Sequence, residues 1–298
     1  MMIEPNKELL IMRYLYQRQG LSQDDENHYH NIEKGFEGER QLYKKLDSIT
    51  NELNILHDLY FEQNKSPIQI DFLLLTHGKP ILIEVKNFEG EYFIKEDRWY
   101  KLSGKEIKNP LIQLQRTETN FRQLLTSYNF NNSFESYIVF VNPQFTLLTA
   151  PINKQIILPT QLPRFIKYLS CHLSNSAAQS SLYMKLISMN MIESRRSSVP
   201  AYLYENLCKG VNCSRCGARM MARQSILYCG VCGYEEKVEK GILRSIKELE
   251  LLFPNKKITT NLIFDWCGEI VSSRRTQKVL NQHFVRLGHN KASHYIRN

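Results

Sequence analysis

Three charged side chains, Asp71, Glu84 and Lys86, sit inside apolar runs of one stretch, residues 68–87, IQIDFLLLTHGKPILIEVKN. Charges in such surroundings are costly to bury unless they are paired or hold a metal. Ile68 to Leu75 is rich in strand formers, Thr76-His77-Gly78-Lys79-Pro80 reads as a turn, and Ile81 to Asn87 alternates. A loop from Thr76 to Lys79 pairs Leu75 with Pro80 and sets Asp71 directly across from Glu84. Ile68, Ile70, Phe72 and Leu74 then share one face, and Asp71, Glu84 and Lys86 share the other. A one-residue slip would part Asp71 from its two companions. Two carboxylates and an intervening carbonyl can hold Mg²⁺ or Mn²⁺, which take oxygen ligands and keep several waters. Such an ion lowers the pKa of a bound water and neutralises charge on a phosphodiester. A lysine on the same face can orient that water or stabilise the developing charge. The chemistry is that of nucleic-acid backbone hydrolysis. The bare D…E-x-K pattern also arises by chance, and Glu84 with Lys86 could be an ordinary surface ion pair.

A second constellation is made of cysteines. Cys213-Ser-Arg-Cys216 and Cys229-Gly-Val-Cys232 are two C-x-x-C pairs, twelve residues apart. Tetrahedral zinc needs four thiolates gathered from two tight turns, and Gly217 and Gly233 follow each second cysteine, where such turns favour small residues. The intervening RMMARQSILY closes a short hairpin, and the whole resembles a zinc ribbon. With no open ligand position, the Zn²⁺ would be structural. Cys208 is irregularly spaced, and Cys171 and Cys267 read as ordinary buried cysteines. His28, His30, His57 and His77 lack partners at metal-ligand spacing and read as surface or core histidines.

The elements that must position these groups follow from periodicity. Residues 5–19 form a helix, 21–31 a polar loop, and a second helix from about Glu33 carries Phe36, Leu42, Tyr43 and Leu46. Gly35 and Gly38 weaken that helix and so point to close backbone approach. Residues 53–62 form a strand, and the hairpin above follows. Short strands come at Gly90–Ile94 and Arg98–Tyr100. Asn109 can cap a helix that Pro110 begins. Ser136–Val141, Phe145–Leu148 and Ile156–Leu158 read as strands, and a helix begins at Pro163. This is a mixed α/β arrangement. Residues 172–181 form a polar linker before a helix at 182–193.

The net charge of +9 is unevenly placed. Residues 1–199 hold 23 Lys and Arg against 22 Asp and Glu, and residues 200–298 hold 16 against 8. A basic C-terminal third beside a near-neutral remainder marks a nucleic-acid-binding appendage. Its helices run from Ile242 to Phe253, from a cap at Thr259 or Thr260 to Gly268, and from a cap at Ser272 or Ser273. Arg274, Arg275, Gln277 and Lys278 lie at the start of the third, the end that approaches bases in a helix-turn-helix. Residues 285–298 could form a β wing with His289, Asn290 and Lys291 near its tip. A small helical bundle with a solvated basic face is the plainer alternative. No apolar run approaches the ~18 residues of a membrane helix. The N-terminus lacks signal-peptide architecture, and a cytoplasmic location is expected.

Residues 31 to roughly 145 resemble the nuclease-related domain (NERD) family, placed within the restriction-endonuclease-like fold. G-F-E-G-E at 35–39, I-D-F at 70–72, I-E-V-K-N-F-E-G at 83–90 and N-P-L-I-Q at 109–113 carry the resemblance. It implies a mixed sheet flanked by helices, with Asp71 and Glu84 as ligands to Mg²⁺ or Mn²⁺. It also implies Lys86 as the catalytic lysine, Glu39 as a further acidic group, Gln113 facing the site and Gly90 shaping the following turn. The expected organisation is an N-terminal helix and loop (1–30), the nuclease-related domain (31–170), a linker with helix (171–205), a zinc ribbon (206–240) and a basic winged-helix-like tail (241–298). The function expected is metal-dependent cleavage of nucleic acid, DNA before RNA, with no membrane partner. Cutting both strands often needs two sites, which admits a homodimer. The alternative is a non-catalytic DNA-binding or regulatory protein on a nuclease-like scaffold.

Overall fold

A computed structural model describes residues 3–49, 55–63, 65–76, 79–131, 133–172, 177–191, 198–288 and 293–297. The chain forms α1 (Lys7–Arg18), α2 (Gln23–Asp47), β1 (Ile55–Gln63), β2 (Ser66–Leu74), β3 (Ile81–Lys86), β4 (Gly90–Lys95), β5 (Arg98–Lys101) and β6 (Glu106–Ile107). Next come α3 (Pro110–Ser127), β7 (Glu135–Phe140), β8 (Phe145–Leu147), β9 (Ile156–Ile157), α4 (Leu162–His172) and α5 (Ala177–Met189). Last are β10 (Met221–Arg223), β11 (Ile226–Tyr228), β12 (Glu235–Lys237), α6 (Val238–Leu252), α7 (Thr260–Trp266), α8 (Ser273–His283), β13 (Val285–Leu287) and β14 (His294–Ile296). They fall into two compact units, Met1–Glu4 with Asn31–Ser197, and Pro5–His30 with Ser198–Asn298.

Two expected loops are helical. Residues 21–31 belong largely to α2, because Ser22 Oγ accepts from the Asp25 N–H at 3.2 Å. Asp24, Asp25 and Glu26 also fill its positive first turn. The expected linker 172–181 contains the start of α5 at Ala177, and its residues 173–176 lie outside the described ones.

In the first unit β3 is central. Its apolar residues pair antiparallel with β2 and parallel with β7, in a five-stranded sheet of order β1-β2-β3-β7-β9. α3 covers one face, where Leu114, Phe121 and Leu124 meet Ile70, Leu82, Ile138 and Phe140. Leu42 and Leu46 of α2, with Phe165 and Leu169 of α4, cover the other against Phe72, Ile83, Val85 and Val139. Burying such residues at roughly 1.5–3 kcal/mol each drives this layering. A smaller sheet, β6-β5-β4-β8, turns Tyr92, Trp99 and Phe145 into the α3-side core.

The strand alternation expected of Ile68, Ile70, Phe72 and Leu74 breaks at Asp71. Ile68 and Ile70 join the α3-side core, as do Leu73 and Leu75, whereas Phe72 and Leu74 join the α2 side. The partner strand breaks opposite. Leu59 pairs with Ile70 and His57 with Phe72, and Asp58 between them has a left-handed backbone, φ +47°. A branched side chain resists that conformation. Asp58→Val is therefore expected to be about 1–2 kcal/mol less stable than Asp58→Gly by urea denaturation. Gly38 makes the close approach expected of it, since a Cβ there would lie 2.7 Å from the Asn87 Cβ. A Cβ added at Gly35 would meet nothing within 4 Å among the described residues beyond its own helix, so the same expectation fails for it.

The second unit has one apolar core. Ile11 and Leu15 of α1, Leu227 of β11, Ile242 and Ile246 of α6, Trp266 of α7 and Leu280 of α8 all join it, as do Cys213 and Cys229. At its centre Arg18 is buried. Its guanidinium donates to both Glu248 oxygens at 2.6 and 2.8 Å and lies 3.9 Å from the Trp266 ring centre. Satisfying a buried charge this fully is what makes its burial tolerable. Thr259 caps α7 and Ser272 caps α8, and β13 and β14 form a hairpin. Residues 289–292, with Lys291 and the expected wing tip, lie outside the described ones. No described helix is long and apolar enough to cross a membrane.

Candidate active site and metal centre

The β2–β3 ladder runs through Leu74–Ile81, Leu73–Leu82 and Phe72–Ile83. The same register would next oppose Asp71 and Glu84, but the ladder stops there. Beyond it β2 continues with β1, and β3 continues with β7 as far as Lys86–Phe140. The strands fork, and Asp71 fills the fork. Its Oδ2 accepts the Val85 N–H at 2.8 Å, replacing the acceptor that a paired strand would supply.

Glu84 and Lys86 follow Leu82 by twos along β3, so they face α3. Lys86 Nζ donates to Glu84 Oε1 at 2.7 Å and to Gln113 Oε1 at 3.0 Å. Gln113 Nε2 donates to the same Glu84 oxygen at 2.5 Å. Gln113 arrives there because α3 is capped four residues earlier. The Asn109 side chain accepts from the Leu111 N–H at 2.9 Å, and Pro110 fixes the first turn. Glu84 and Lys86 are 6% and 15% exposed, so this is not an ion pair on an open sheet face.

Burial pushes the Asp71 carboxyl well above the ordinary carboxylate range, and the neighbouring Glu84 and Glu39 push the same way. Lys86 and the Val85 N–H act against them. Glu84, Lys86 and Gln113 thus converge on the α3 side of β3, with Asp71 in the fork beside them, while Glu39 comes from the α2 side and acts on the Asp71 charge. The excess of carboxylates over the one lysine fits a cation. Among the described residues, however, only four cysteines bring three or more His, Cys, Asp or Glu ligand atoms within 4.8 Å of one another. The carboxylates are less tightly gathered, and a cation held by Asp71 and Glu84 would need a carbonyl and waters to complete its shell.

His57 is the group that spacing did not mark. Its Nε2 is 3.0 Å from Glu39 Oε2, and its ring centre is 5.0 Å from that of Phe72. Eighteen residues of sequence separate the pair, and only the packing of β1 against α2 reveals it. His28 also has a carboxylate partner, Glu8, at 2.9 Å, and His77 lies outside the described residues.

The four paired cysteines meet as their spacing predicts. Each knuckle repeats one hydrogen-bond pattern. Cys213 N–H donates to Ala218 O and Gly217 N–H to Cys213 O; Cys229 N–H donates to Tyr234 O and Gly233 N–H to Cys229 O. Gly217 and Gly233 take φ of +75° and +70°, the left-handed backbone these turns require. Sγ atoms approach to 3.6 Å for Cys213–Cys232 and 3.4 Å for Cys216–Cys229. Both are too long for a disulfide and near the ~3.8 Å edge of a tetrahedron with ~2.3 Å metal–sulfur bonds. Cys208 stands outside the group and Cys267 is buried. Cys171 is exposed, against expectation, one residue from the C-terminal end of α4.

Along α8 and its cap, Ser272, Arg274, Arg275, Gln277, Lys278, Asn281 and Gln282 line an open groove of about 710 Å³ with no acidic side chain among its described lining residues. Arg274, Gln277 and Lys278 are exposed, while the Arg275 guanidinium donates to the Gln224 carbonyl in the β10–β11 turn.

Residues 34–141 match the family described as the nuclease-related domain (NERD). No curated protein matches the chain.

Proposed function

We propose that the chain is a metal-dependent nuclease, cutting DNA at the β2–β3 fork and holding it with the basic surface of the second unit. The convergence of Asp71, Glu84, Lys86 and Gln113, inside the stretch that matches a nuclease-related domain, carries this reading. Asp71 and Glu84 would hold Mg²⁺ or Mn²⁺, which supplies charge neutralisation and an acidified water. Lys86 would hold that water or the developing negative charge, and Gln113 fixes both Lys86 and Glu84 in place. The fork belongs to a restriction-endonuclease-like sheet on this reading. The four cysteines would hold a structural Zn²⁺ in a zinc ribbon. Arg274, Arg275, Gln277, Lys278 and Lys291, in a winged-helix-like tail, would contact the DNA. RNA is the lesser candidate substrate.

Supercoiled plasmid incubated with Mg²⁺ or Mn²⁺ tests the reading. Wild type should cut, chelation should stop it, and Lys86→Ala should slow it by about 10²-fold or more. Equal cutting by both proteins would remove Lys86 from the site. One observation favours a non-catalytic scaffold: Lys86 and Gln113 both already occupy Glu84 Oε1. That alternative predicts binding that weakens steeply with salt and no cutting with either metal.

A further inference from the structure

We infer that His57 is a positioning residue that holds the Glu39 carboxylate toward the fork occupied by Asp71 and Glu84. The inference rests on the metal-site reading above and adds a residue to it. In a regular strand His57 would share the face of Leu59, which lies in the α3-side core. The left-handed backbone at Asp58 reverses that order. His57 therefore lies over Phe72, beside Asp71 in sequence, with its ring centre 5.0 Å from that of Phe72. Its Nε2 meets Glu39 Oε2 at 3.0 Å, and the two side chains are only 17% and 20% exposed. Glu39 is close enough to Asp71 to disfavour its charge. Glu39 repels a charged Asp71, and without a donor behind it Glu39 would swing toward solvent. An imidazole N–H on one oxygen leaves the other free to face the fork. Partners of this kind orient ligands or water-holding groups around metals, and losing one typically weakens metal binding about 10–100-fold.

Mn²⁺ uptake by the full zinc-loaded chain, followed by the electron paramagnetic resonance of free Mn²⁺, tests this without reference to cleavage. Wild type should take up an ion that Asp71→Asn does not. His57→Leu should weaken uptake about tenfold or more, and His57→Gln, whose amide still reaches Glu39, should stay within about threefold of wild type. In a Glu39→Ala background His57→Leu should add nothing, since it acts through that carboxylate. Wild-type uptake by folded His57→Leu, or its full effect persisting without Glu39, would overturn the assignment. If His57→Leu does not fold, His57→Gln against the shorter His57→Asn makes the same comparison. A wild type that takes up no ion beyond Asp71→Asn would bring down the metal reading and this assignment with it. Normal Asp71-dependent uptake with an inert His57→Leu would bring down this assignment alone.

Discussion

Asp71→Asn should abolish metal-dependent cutting and at the same time stabilise the metal-free protein. The loss should be at least about 10²–10³-fold, the scale of removing one electrostatic stabiliser of a transition state. The gain follows from the fork itself. Asp71 is buried, and both its burial and its two acidic neighbours raise its carboxyl above the ordinary range. Such a group contributes its stability in full below its unfolded-state pKa and loses it as pH rises through the folded-state value. Metal-free wild type should therefore lose stability as pH climbs out of the acid range, and Asp71→Asn should not. The asparagine oxygen can still accept the Val85 N–H. At neutral pH the variant should gain about 1–3 kcal/mol, the scale of relieving a buried, poorly satisfied polar group. Urea midpoints of both zinc-loaded proteins, without Mg²⁺ or Mn²⁺, across pH, measure it. A variant less stable than wild type at every pH would mean that Asp71 serves the fold rather than a cation.

Removing metal from the four cysteines should unfold the second unit as a whole. The knuckles are not an appendage. Cys213 and Cys229 are buried in the same core as Ile242, Trp266 and Leu280, and Gly241 on α6 leaves no room for a Cβ beside Leu227. Structural zinc in small domains contributes on the order of 10–16 kcal/mol, more than such a unit's usual net stability. Cys229→Ser, or a zinc chelator, should therefore expose α6, α7 and α8 to hydrogen exchange and abolish nucleic-acid binding. β3 and α3, which belong to a separate core, should stay protected. Retained protection of α8 in the zinc-free protein would show that the helices fold without the knuckles.

Some of this was legible in the residues and some was not. The C-x-x-C spacing and its following glycines encode a local geometry, so the four sulfurs could be placed from sequence alone. Asn109-Pro110 fixed the start of α3 and with it the turn on which Gln113 lies. The register that pairs Leu74 with Ile81 and Phe72 with Ile83 follows from loop length, but the fork that ends it at Asp71 does not. Three things depend on packing between distant segments and left no periodic trace. The reversal of side-chain order at Asp58 and Asp71 breaks the alternation from which faces are read. The pairing of His57 with Glu39 joins a strand to a helix eighteen residues away. The place of α1 in the second unit depends on Arg18, whose partner Glu248 lies 230 residues along the chain. The stretch 21–31 reads as a loop from sequence because its polar residues are those of a capped, acidic helix start.

The most direct measurement is the single-turnover cleavage rate of one DNA duplex by wild type and Lys86→Ala at matched Mn²⁺ occupancy. Lys86 is proposed to act on the water or the developing charge rather than to hold the ion. The variant should take up Mn²⁺ as wild type does and cleave about 10²-fold more slowly or worse. Equal rates at equal occupancy would contradict the claim that the β2–β3 fork is where a phosphodiester is cut.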